Sequence, residues 1–486
     1  MCEYGLQLEG RCVSLLIVSI GSLENLLPLC LRVHNIDGCL DPRQGPGLSP
    51  DASFVFSVLG PDSFGNQPAN IKEMRVQLQS LGSRGRIILR RILELAIICI
   101  CVGQSGRAQE VKLLDRTVQI HGFASQGFIH TDNNNWLTTN SADEVSGEFT
   151  DFGVNATTQV TDKFRIGAQI YDRNLGKLGR WHPSLDWAVA SYKLRPWLGV
   201  RAGKVKTVIG LLNDTQDLDF LHPFALLPQS IYPTDLREST ISHWGGDFFG
   251  DIPLGRAAGH LSYTAYAGMR RDSHYGGYPY LLKSPPPQIN FRVYGGLQYG
   301  GDLRWTTPLK GLLLGVSRMN EDINGDGTTT ILGPTLPYHE TSKADWTNQY
   351  YGQYVAGKLE LDAEYRRYWR DQMIFSDLFE IQTDVRGWYF AGAYRLSRRF
   401  QVGSYYSRYS LYSGDFFLGP TSGHTYDKVV TARVDFNTHF DLKVEGHFMD
   451  GVGVPGLYPD GFYYNDNPRG LKRYTNALVV KSSFNF

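Results

Sequence analysis

The sequence predicts an all-β chain, in which one antiparallel up-and-down sheet of about 16 strands closes into a transmembrane β-barrel. Three observations predict this fold. Apolar and polar residues alternate with period two through the last 378 residues. The connections between these segments alternate between short and long. No uncharged apolar run reaches the roughly 18 residues that a membrane-spanning helix needs.

Composition divides the chain into two segments. The 48 basic and 48 acidic residues cancel, so there is no basic excess of the kind typical of nucleic-acid-binding proteins. All six cysteines precede residue 108, whereas all nine tryptophans and 58 of the 62 aromatic residues follow it. Only the segment after residue 108 has the composition of a folded domain.

Residues 74–108 have the layout of a secretory signal peptide. Five arginines precede a short apolar stretch from Ile92 to Gly103, and small residues precede a cut after Ala108. A buried helix is the alternative. A signal peptide stands at the N-terminus, so we interpret Met74 as the true start and residues 1–73 as an over-extended, disordered segment. The mature chain from Gln109 has no cysteine and needs no disulfide in an oxidising compartment.

Sixteen segments show the period of a β-strand. In Phe164–Ile170, for example, Phe, Ile, Ala and Ile share one face, and Arg, Gly and Gln share the other. The segments begin near Thr117, Ser146, Phe164, Ser184, Leu198, Thr240, Gly259, Leu297, Leu312, Lys343, Leu359, Val385, Phe400, Lys428, Phe440 and Leu471. We assign residues 109–116 to a short periplasmic lead-in and residues 117–486 to the barrel.

Short and long connections alternate along these segments. The long ones span roughly 129–145, 173–183, 212–239, 271–296, 321–342, 370–384, 412–427 and 450–470. Short periplasmic turns and long outer loops are typical of outer-membrane barrels. A soluble sandwich or propeller shares the alternation but does not explain the two loop classes, and no blade repeat is found. Aromatic residues are expected at both membrane interfaces, including Trp181, Trp187, Trp197, Trp305 and Trp388.

The last strand, from Asn476 to Phe486, has alternating apolar residues and a terminal Phe. It resembles the C-terminal assembly signal of Gram-negative outer-membrane proteins. With the opening strand Val118–Phe123 and the strand count, the chain from Thr117 onward resembles the 16-stranded porin superfamily. The resemblance implies a location in the bacterial outer membrane, recognition of Phe486 by the barrel-assembly machinery, and a homotrimer.

The same resemblance implies that the third long loop, residues 212–239, folds into the barrel and constricts the pore. The alternative is that this loop packs against a neighbouring subunit. The charged residues expected at the constriction are Asp214, Asp217, Asp219, Asp235, Arg237 and Glu238.

Alternation also predicts the polar residues that line the pore wall. They are Arg165, Gln169, Arg201, Asp302, Arg304, Glu360, Asp362, Glu364, Arg433, Asp435, Lys443, Glu445 and Lys481. A tight turn at Thr438 and His439 predicts a register in which Asp435 faces Lys443 and Arg433 faces Glu445. The same register sets Val434 beside Val444 on the outer face. Each opposite-charge pair would contribute roughly 0.2–1 kcal/mol.

Two motifs resemble ligand sites. Asp322, Asn324 and Asp326 begin like a calcium-binding loop, but Gly333 stands where the bidentate Glu belongs, so we expect a surface turn, with an incidental calcium site as the alternative. Residues 451–456 match G-x-G-x-x-G, but Pro455 interrupts the motif and no helix follows. No hydrolase, metalloprotease or nucleotide-binding signature is found, and the sequence predicts neither an enzyme nor a cofactor.

The sequence therefore predicts a porin that allows small hydrophilic solutes to diffuse passively through a water-filled barrel, because about 16 strands leave an aqueous channel. The partners expected are outer-membrane lipid and the solutes, with no nucleic acid. A channel selective for phosphate, carboxylates or sugars is the alternative. A barrel enzyme or an adhesin is a further alternative from another class.

Overall fold

The computed structural model describes six short strands before residue 114, and residues 116–486 except 284–287, 331–332, 343, 377, 414–422 and 454–460. The chain divides into two units, Met1–Ile98 and Cys99–Phe486. In the first unit, one antiparallel pair and one three-stranded sheet are formed by Cys2–Leu8, Arg11–Ile17, Leu31–Asn35, Phe54–Val58 and Glu73–Val76. Residues 77–108 of the predicted signal peptide lie outside the described residues. The interpretation of residues 1–108 stays a prediction.

The second unit is a closed barrel with sixteen strand positions. The strands are β1 (Arg116–Thr131), β2 (Ser146–Thr161), β3 (Phe164–Leu175), β4 (Ser184–Arg195), β5 (Leu198–Lys206), β6 (Ser242–Gly255), β7 (Gly259–Arg271), β8 (Gln288–Thr306), β9 (Leu312–Thr330), β10 (segments Thr335–Ser342 and Asp345–Ala356), β11 (Leu359–Ile374), β12 (Phe379–Arg395), β13 (Phe400–Ser413), β14 (His424–Asp435), β15 (Phe440–Gly451) and β16 (Tyr474–Asn485).

Each strand pairs antiparallel with the next, and β16 closes the sheet by pairing with β1. The two segments of β10 share one position, because both pair with β9 on one side and β11 on the other. The strand Gln109–Leu113 pairs with the first residues of β1. Closure leaves no unpaired sheet edge, as a membrane-spanning sheet requires. The predicted all-β, up-and-down barrel of about 16 strands is confirmed.

The two faces of the barrel wall differ as the alternation predicts. In β15, Lys443, Glu445 and His447 have 0% exposure and point inward, whereas Val444 and Phe448 are 42% and 52% exposed on the outside. Exposed aliphatic and aromatic side chains recur on the outer face of the other strands. An apolar outer face with a polar interior is the arrangement that a barrel in lipid requires.

Aromatic side chains flank the short turns on the outer face. Trp197, Trp305, Phe400 and Phe436 are all exposed there, close to the ends of their strands. Such a position suits amphipathic rings at a membrane interface. The expectation for Trp187 was wrong. A register shift between Leu185 and Trp187 turns this ring inward, opposite Gln169.

Two of the predicted long loops are short in the structure. Strand β9 continues to Thr330 and β10 begins at Thr335, and β11 and β12 are separated by four residues only. Their strands continue to pair beyond the apolar belt, as in the pair of Asp326 with His339. The polar residues at 321–342 and 370–384 therefore belong mainly to strands. The expected surface turn at Asp322, Asn324 and Asp326 was wrong, because all three lie in β9.

The register between β14 and β15 differs by two residues from the prediction. Arg433 lies opposite Lys443, Asp435 lies opposite Asp441, and Ala432 lies opposite Val444. The connection is a four-residue loop, stabilised by a 2.7 Å hydrogen bond from the His439 backbone N–H to Oδ1 of Asn437. The longer loop shifts the pairing but leaves the inward face unchanged, because a shift of two residues preserves the alternation.

The third long connection, residues 207–241 and named L3 here, contains three 3₁₀ turns and the short helix α1 (Arg237–Thr240). A second short helix, α2 (Gly277–Leu282), follows β7. Within the described part of the chain, no helix combines the length and apolar character needed to cross a membrane.

Candidate channel constriction

The thirteen residues predicted to line the pore all lie on the inner face of the wall. Several of them form polar contacts with one another or with neighbouring strands, as when Asp302 accepts hydrogen bonds from Ser317 at 2.6 Å and from Tyr351 at 2.7 Å. Arg201 donates to both carboxylate oxygens of Asp247, at 2.8 and 3.0 Å. Their role in conduction stays a prediction. The geometry shows a strongly polar barrel interior.

L3 folds into the barrel and reaches the wall opposite its own attachment. Glu445 in β15 accepts hydrogen bonds from the backbone N–H groups of Ala225, at 2.9 Å, and Leu226, at 3.1 Å. Nearby, Arg433 in β14 donates to the His222 carbonyl oxygen at 2.8 Å. Strands β14 and β15 lie across the barrel from β5 and β6, which carry L3. L3 therefore crosses the full width of the lumen.

Asp219 ties L3 to β15 and β16. Its carboxylate lies 2.6 Å from Nζ of Lys481, and its backbone oxygen accepts a hydrogen bond from Lys443. Burial acts to raise the pKa of Asp219, but the charges of Lys481 and Lys443 together hold that pKa below its ordinary value. The carboxylate is therefore ionised and paired at neutral pH.

A second ionic cluster binds L3 to the wall beside its attachment. Asp217 lies 2.8 Å from Lys206 and accepts a 2.9 Å hydrogen bond from Gln169. Arg237 contacts Asp186 at 2.8 Å and lies 3.8 Å from the centre of the Tyr171 ring. Burial acts to raise the pKa of Asp217, but Lys206 and Arg237 hold it below its ordinary value. These buried charges satisfy one another, as buried ions must.

A third set of contacts anchors L3 to β11. Glu364 accepts hydrogen bonds from Tyr232, at 2.5 Å, and from the Leu211 backbone, at 3.0 Å. Arg366 donates to the Ile231 carbonyl oxygen at 2.7 Å. L3 is thus held from three directions, which fixes its position more firmly than contact with one side of the wall would.

The other predicted constriction residues differ in exposure. Asp214 is partly exposed and lies 3.5 Å from Arg304, and Glu238 lies 3.3 Å from Arg173. Asp235 is buried, and burial raises its pKa to about 6. All six predicted residues therefore lie in L3 inside the barrel, but most of them are paired with the wall and do not line an open passage.

The spaces around L3 are small on one side and larger on the other. A cavity of about 40 Å³, enough for a few water molecules, lies between L3 and strands β2, β3 and β16. A cavity of about 420 Å³ lies between the start of L3 and strands β2 to β6. Arg165, Arg201, Lys206 and Trp187 line the larger cavity together with Asp214.

The sequence analysis missed several residues that hold L3. His447 lies between Asp427 and Glu445, at 2.7 and 3.0 Å, and so supports the carboxylate that binds L3. His447 alternates with Lys443 and Glu445 along β15, and this pattern would have predicted it as a residue of the pore wall. Tyr463, in the last long loop, donates a hydrogen bond to Asp235 of L3, and no periodicity marks that loop.

A closed barrel of sixteen strands with a polar interior and an inward-folded third loop defines a porin-like fold. No protein-family model matches this chain, and none of the curated proteins matches it either. Among solved structures, it is similar to OmpT of Vibrio cholerae, with 11% identity, a TM-score of 0.48, and coverage of 78% of this chain and 100% of that chain.

Two further solved structures are similar to this chain over a comparable share of its length. The outer-membrane channel DcaP of Acinetobacter baumannii is 10% identical, with a TM-score of 0.49 over 78% of this chain and 99% of that one. The anion-selective porin from Comamonas acidovorans is 10% identical, with a TM-score of 0.45 over 76% of this chain and 100% of that one.

Proposed function

We propose that this chain is an outer-membrane channel that passes small hydrophilic solutes and has no enzymatic activity. The observation that carries the proposal is the contrast between the two faces of a closed sixteen-stranded wall, apolar outside and charged inside. An interior of this polarity is stable when it is hydrated, and a barrel of about 16 strands is wide enough to hold water.

L3 limits the size of the solutes that can pass through the barrel and the current that the barrel can carry. Because it crosses the lumen from β5 and β6 to β14 and β15, the passages beside it are narrow. We expect a small unit conductance and a strong preference for small solutes. The 420 Å³ cavity favours the selective alternative, because its lining combines Arg165 and Arg201 with the Trp187 and Phe249 rings, and Arg201 lies 4.8 Å from the centre of the Phe249 ring. Guanidinium groups beside an aromatic ring suit a small carboxylate or phosphate.

Planar-bilayer recording tests the proposal. Protein extracted with detergent from bacterial membranes should produce stepwise, ohmic currents when it is added to a lipid bilayer. A candidate anion that reduces the current at low concentration would support the selective form. Protein that is folded, as judged by heat-modifiable migration, but carries no current would contradict the proposal. We also propose that the chain assembles as a homotrimer and that Phe486 is read by the barrel-assembly machinery.

A further inference from the structure

Five cations project from the outer face of the barrel on strands β9 to β14. They are Arg318, Arg367, Arg386, Arg408 and Lys428, and they are named the outer basic patch here. Their direction follows from the alternation. Ser317 and Met319, on either side of Arg318, are buried inside the barrel, as are Ser407 and Tyr409 beside Arg408. Side chains on the outer face of a barrel meet lipid or its headgroups.

The strand register places these cations side by side. Asn348 in β10 pairs with both Arg318 in β9 and Arg367 in β11, and Arg367 pairs with Arg386 in β12. Arg408 in β13 lies opposite Trp388, which is two residues from Arg386 in β12. Arg408 therefore extends the row of cations by one strand. Neighbouring strands lie about 4.8 Å apart, and the five intervals from β9 to β14 therefore give the patch a width of about 24 Å.

The outer basic patch lies directly above the apolar belt of the barrel. Val316, Tyr365 and Val430 lie on the same strands, each two positions nearer the short turns than the cation of its strand. All three side chains are exposed. The cations therefore begin where the lipid-facing apolar surface ends, on the side of the long loops. A cation is least costly at this height, because the polar headgroups of the membrane begin there.

Aromatic rings hold the guanidinium groups against the wall. Arg318 and Arg367 lie 5.2 and 5.5 Å from the centre of the Trp346 ring, and Arg408 lies 4.2 Å from the Tyr426 ring. A guanidinium group that stacks on a ring keeps its N–H edges available in its own plane. Those edges are the donors that bind a phosphate group in a bidentate manner.

The charges of the patch are only partly neutralised by the protein. Asp384 contacts Arg367 at 2.9 Å and Arg386 at 2.7 Å. The contacts described for Arg318 and Arg408 are with neutral groups, namely Asn348 at 2.9 Å and the Tyr426 hydroxyl at 2.8 Å. Positive charge at a lipid interface attracts anionic headgroups.

We propose that the outer basic patch binds the phosphate groups of anionic lipid in the outer leaflet of the membrane. The inference rests on the proposed function only in placing the barrel in the outer membrane with its long loops outside. Stacked Arg318 and Arg408 present N–H groups to the phosphates, while the exposed apolar side chains below them contact the acyl chains. The bound lipid supplies the negative charge that the wall lacks at this height.

Native mass spectrometry tests this inference on the full protein in mild detergent, with purified lipid A as the anionic probe and phosphatidylcholine as the neutral one. The variant combines Arg318→Gln, Arg408→Gln and Lys428→Gln. The control combines Lys163→Gln, Lys310→Gln and Lys358→Gln, which removes the same charge from exposed positions near the short turns. We expect the affinity for lipid A to fall at least about tenfold in the patch variant and to stay unchanged in the control.

Equal loss of lipid A in both variants, or unchanged binding in the patch variant, would overturn the inference. Dissociation of an oligomer with unchanged lipid binding would also overturn it, because the patch would then be a contact between subunits. Heat-modifiable migration of both variants checks that they are folded. Conductance of the same samples separates the two proposals: a barrel that binds lipid A through the patch but carries no current contradicts only the channel function.

Discussion

The phenol hydroxyl of Tyr463 donates a 2.6 Å hydrogen bond to Oδ2 of Asp235, and this bond joins the last long loop to L3. Both side chains are fully buried. Burial raises the pKa of Asp235 to about 6, although the hydrogen bond from Tyr463 and the charge of Arg173 act in the opposite direction. The contact between the two loops therefore depends on the ionisation state of one carboxyl group.

Asp235→Asn should remove a pH dependence of stability. The folded pKa of about 6 exceeds the ordinary value of 3.8, so the folded protein binds the proton more tightly than the unfolded chain. Asp235 therefore costs stability as the pH rises from about 4 to 6. We expect Asp235→Asn to be more stable than the wild type by roughly 3 kcal/mol at pH 7 and by little at pH 4. Unfolding in denaturant at both pH values measures this difference.

Asp143→Asn is the matched control, because it changes an exposed carboxyl group of the first long loop. It should leave the difference between pH 4 and pH 7 unchanged. If Asp235→Asn changes the stability by the same amount at pH 4 and at pH 7, ionisation of the Asp235 carboxyl group does not cause the pH dependence.

Glu445→Gln should loosen L3 at the wall opposite its attachment. The carboxylate accepts two backbone N–H groups of L3, and an amide would place its own NH₂ group against one of them. We expect a loss of about 1–3 kcal/mol in stability and an increase in unit conductance, because the passages beside L3 would widen. Single-channel recording measures the second effect. Glu144→Gln, at an exposed position of the first long loop, should conduct like the wild type, and an equal increase there would refute the role of Glu445.

The strands were predictable because their two faces meet different solvents. Ten of the sixteen predicted starts fall within one residue of the strands observed, among them Phe164, Leu198, Leu312 and Phe440. Alternation reports which face a residue occupies, and so the inward positions of Lys443 and Glu445 were also predictable. It does not report register. The pairing of Arg433 with Lys443 depends on a four-residue loop stabilised by Asn437, which the sequence does not display as a pattern.

The contacts of L3 could not be predicted in the same way. The bond between the Ala225 backbone and Glu445 joins residues 220 positions apart, and L3 has no periodicity that would indicate which side faces the wall. The resemblance to porins indicated that the loop enters the lumen, but not that it reaches β14 and β15. The acids of L3 were expected to lie at the pore constriction. Most are paired, because a loop that crosses the lumen brings them against basic residues of the wall.

Substitutions in the 420 Å³ cavity should change ion selectivity in opposite directions. Asp214→Asn removes a partly exposed negative charge beside Arg304, and Arg165→Gln removes a positive charge from the same cavity. We expect the anion-to-cation permeability ratio to rise about twofold in the first variant and to fall by a similar factor in the second, because unscreened charges act within about 8–10 Å. Reversal potentials in a salt gradient measure the ratio. A shift of the same sign in both variants would contradict this role for the cavity.

Gly387→Ala should displace L3 from strand β12. A Cβ atom at position 387 would lie 2.3 Å from the Ser230 carbonyl oxygen, and this backbone atom cannot move away without moving L3. Ser230 also bonds Ser407 at 2.8 Å, so the displacement would break a second contact. We expect a loss of about 1–3 kcal/mol in stability, together with altered unit conductance. Gly446→Ala is the control, because its Cβ would meet no atom closer than 3.7 Å. If both variants conduct and unfold alike, L3 does not rest on β12 in the membrane.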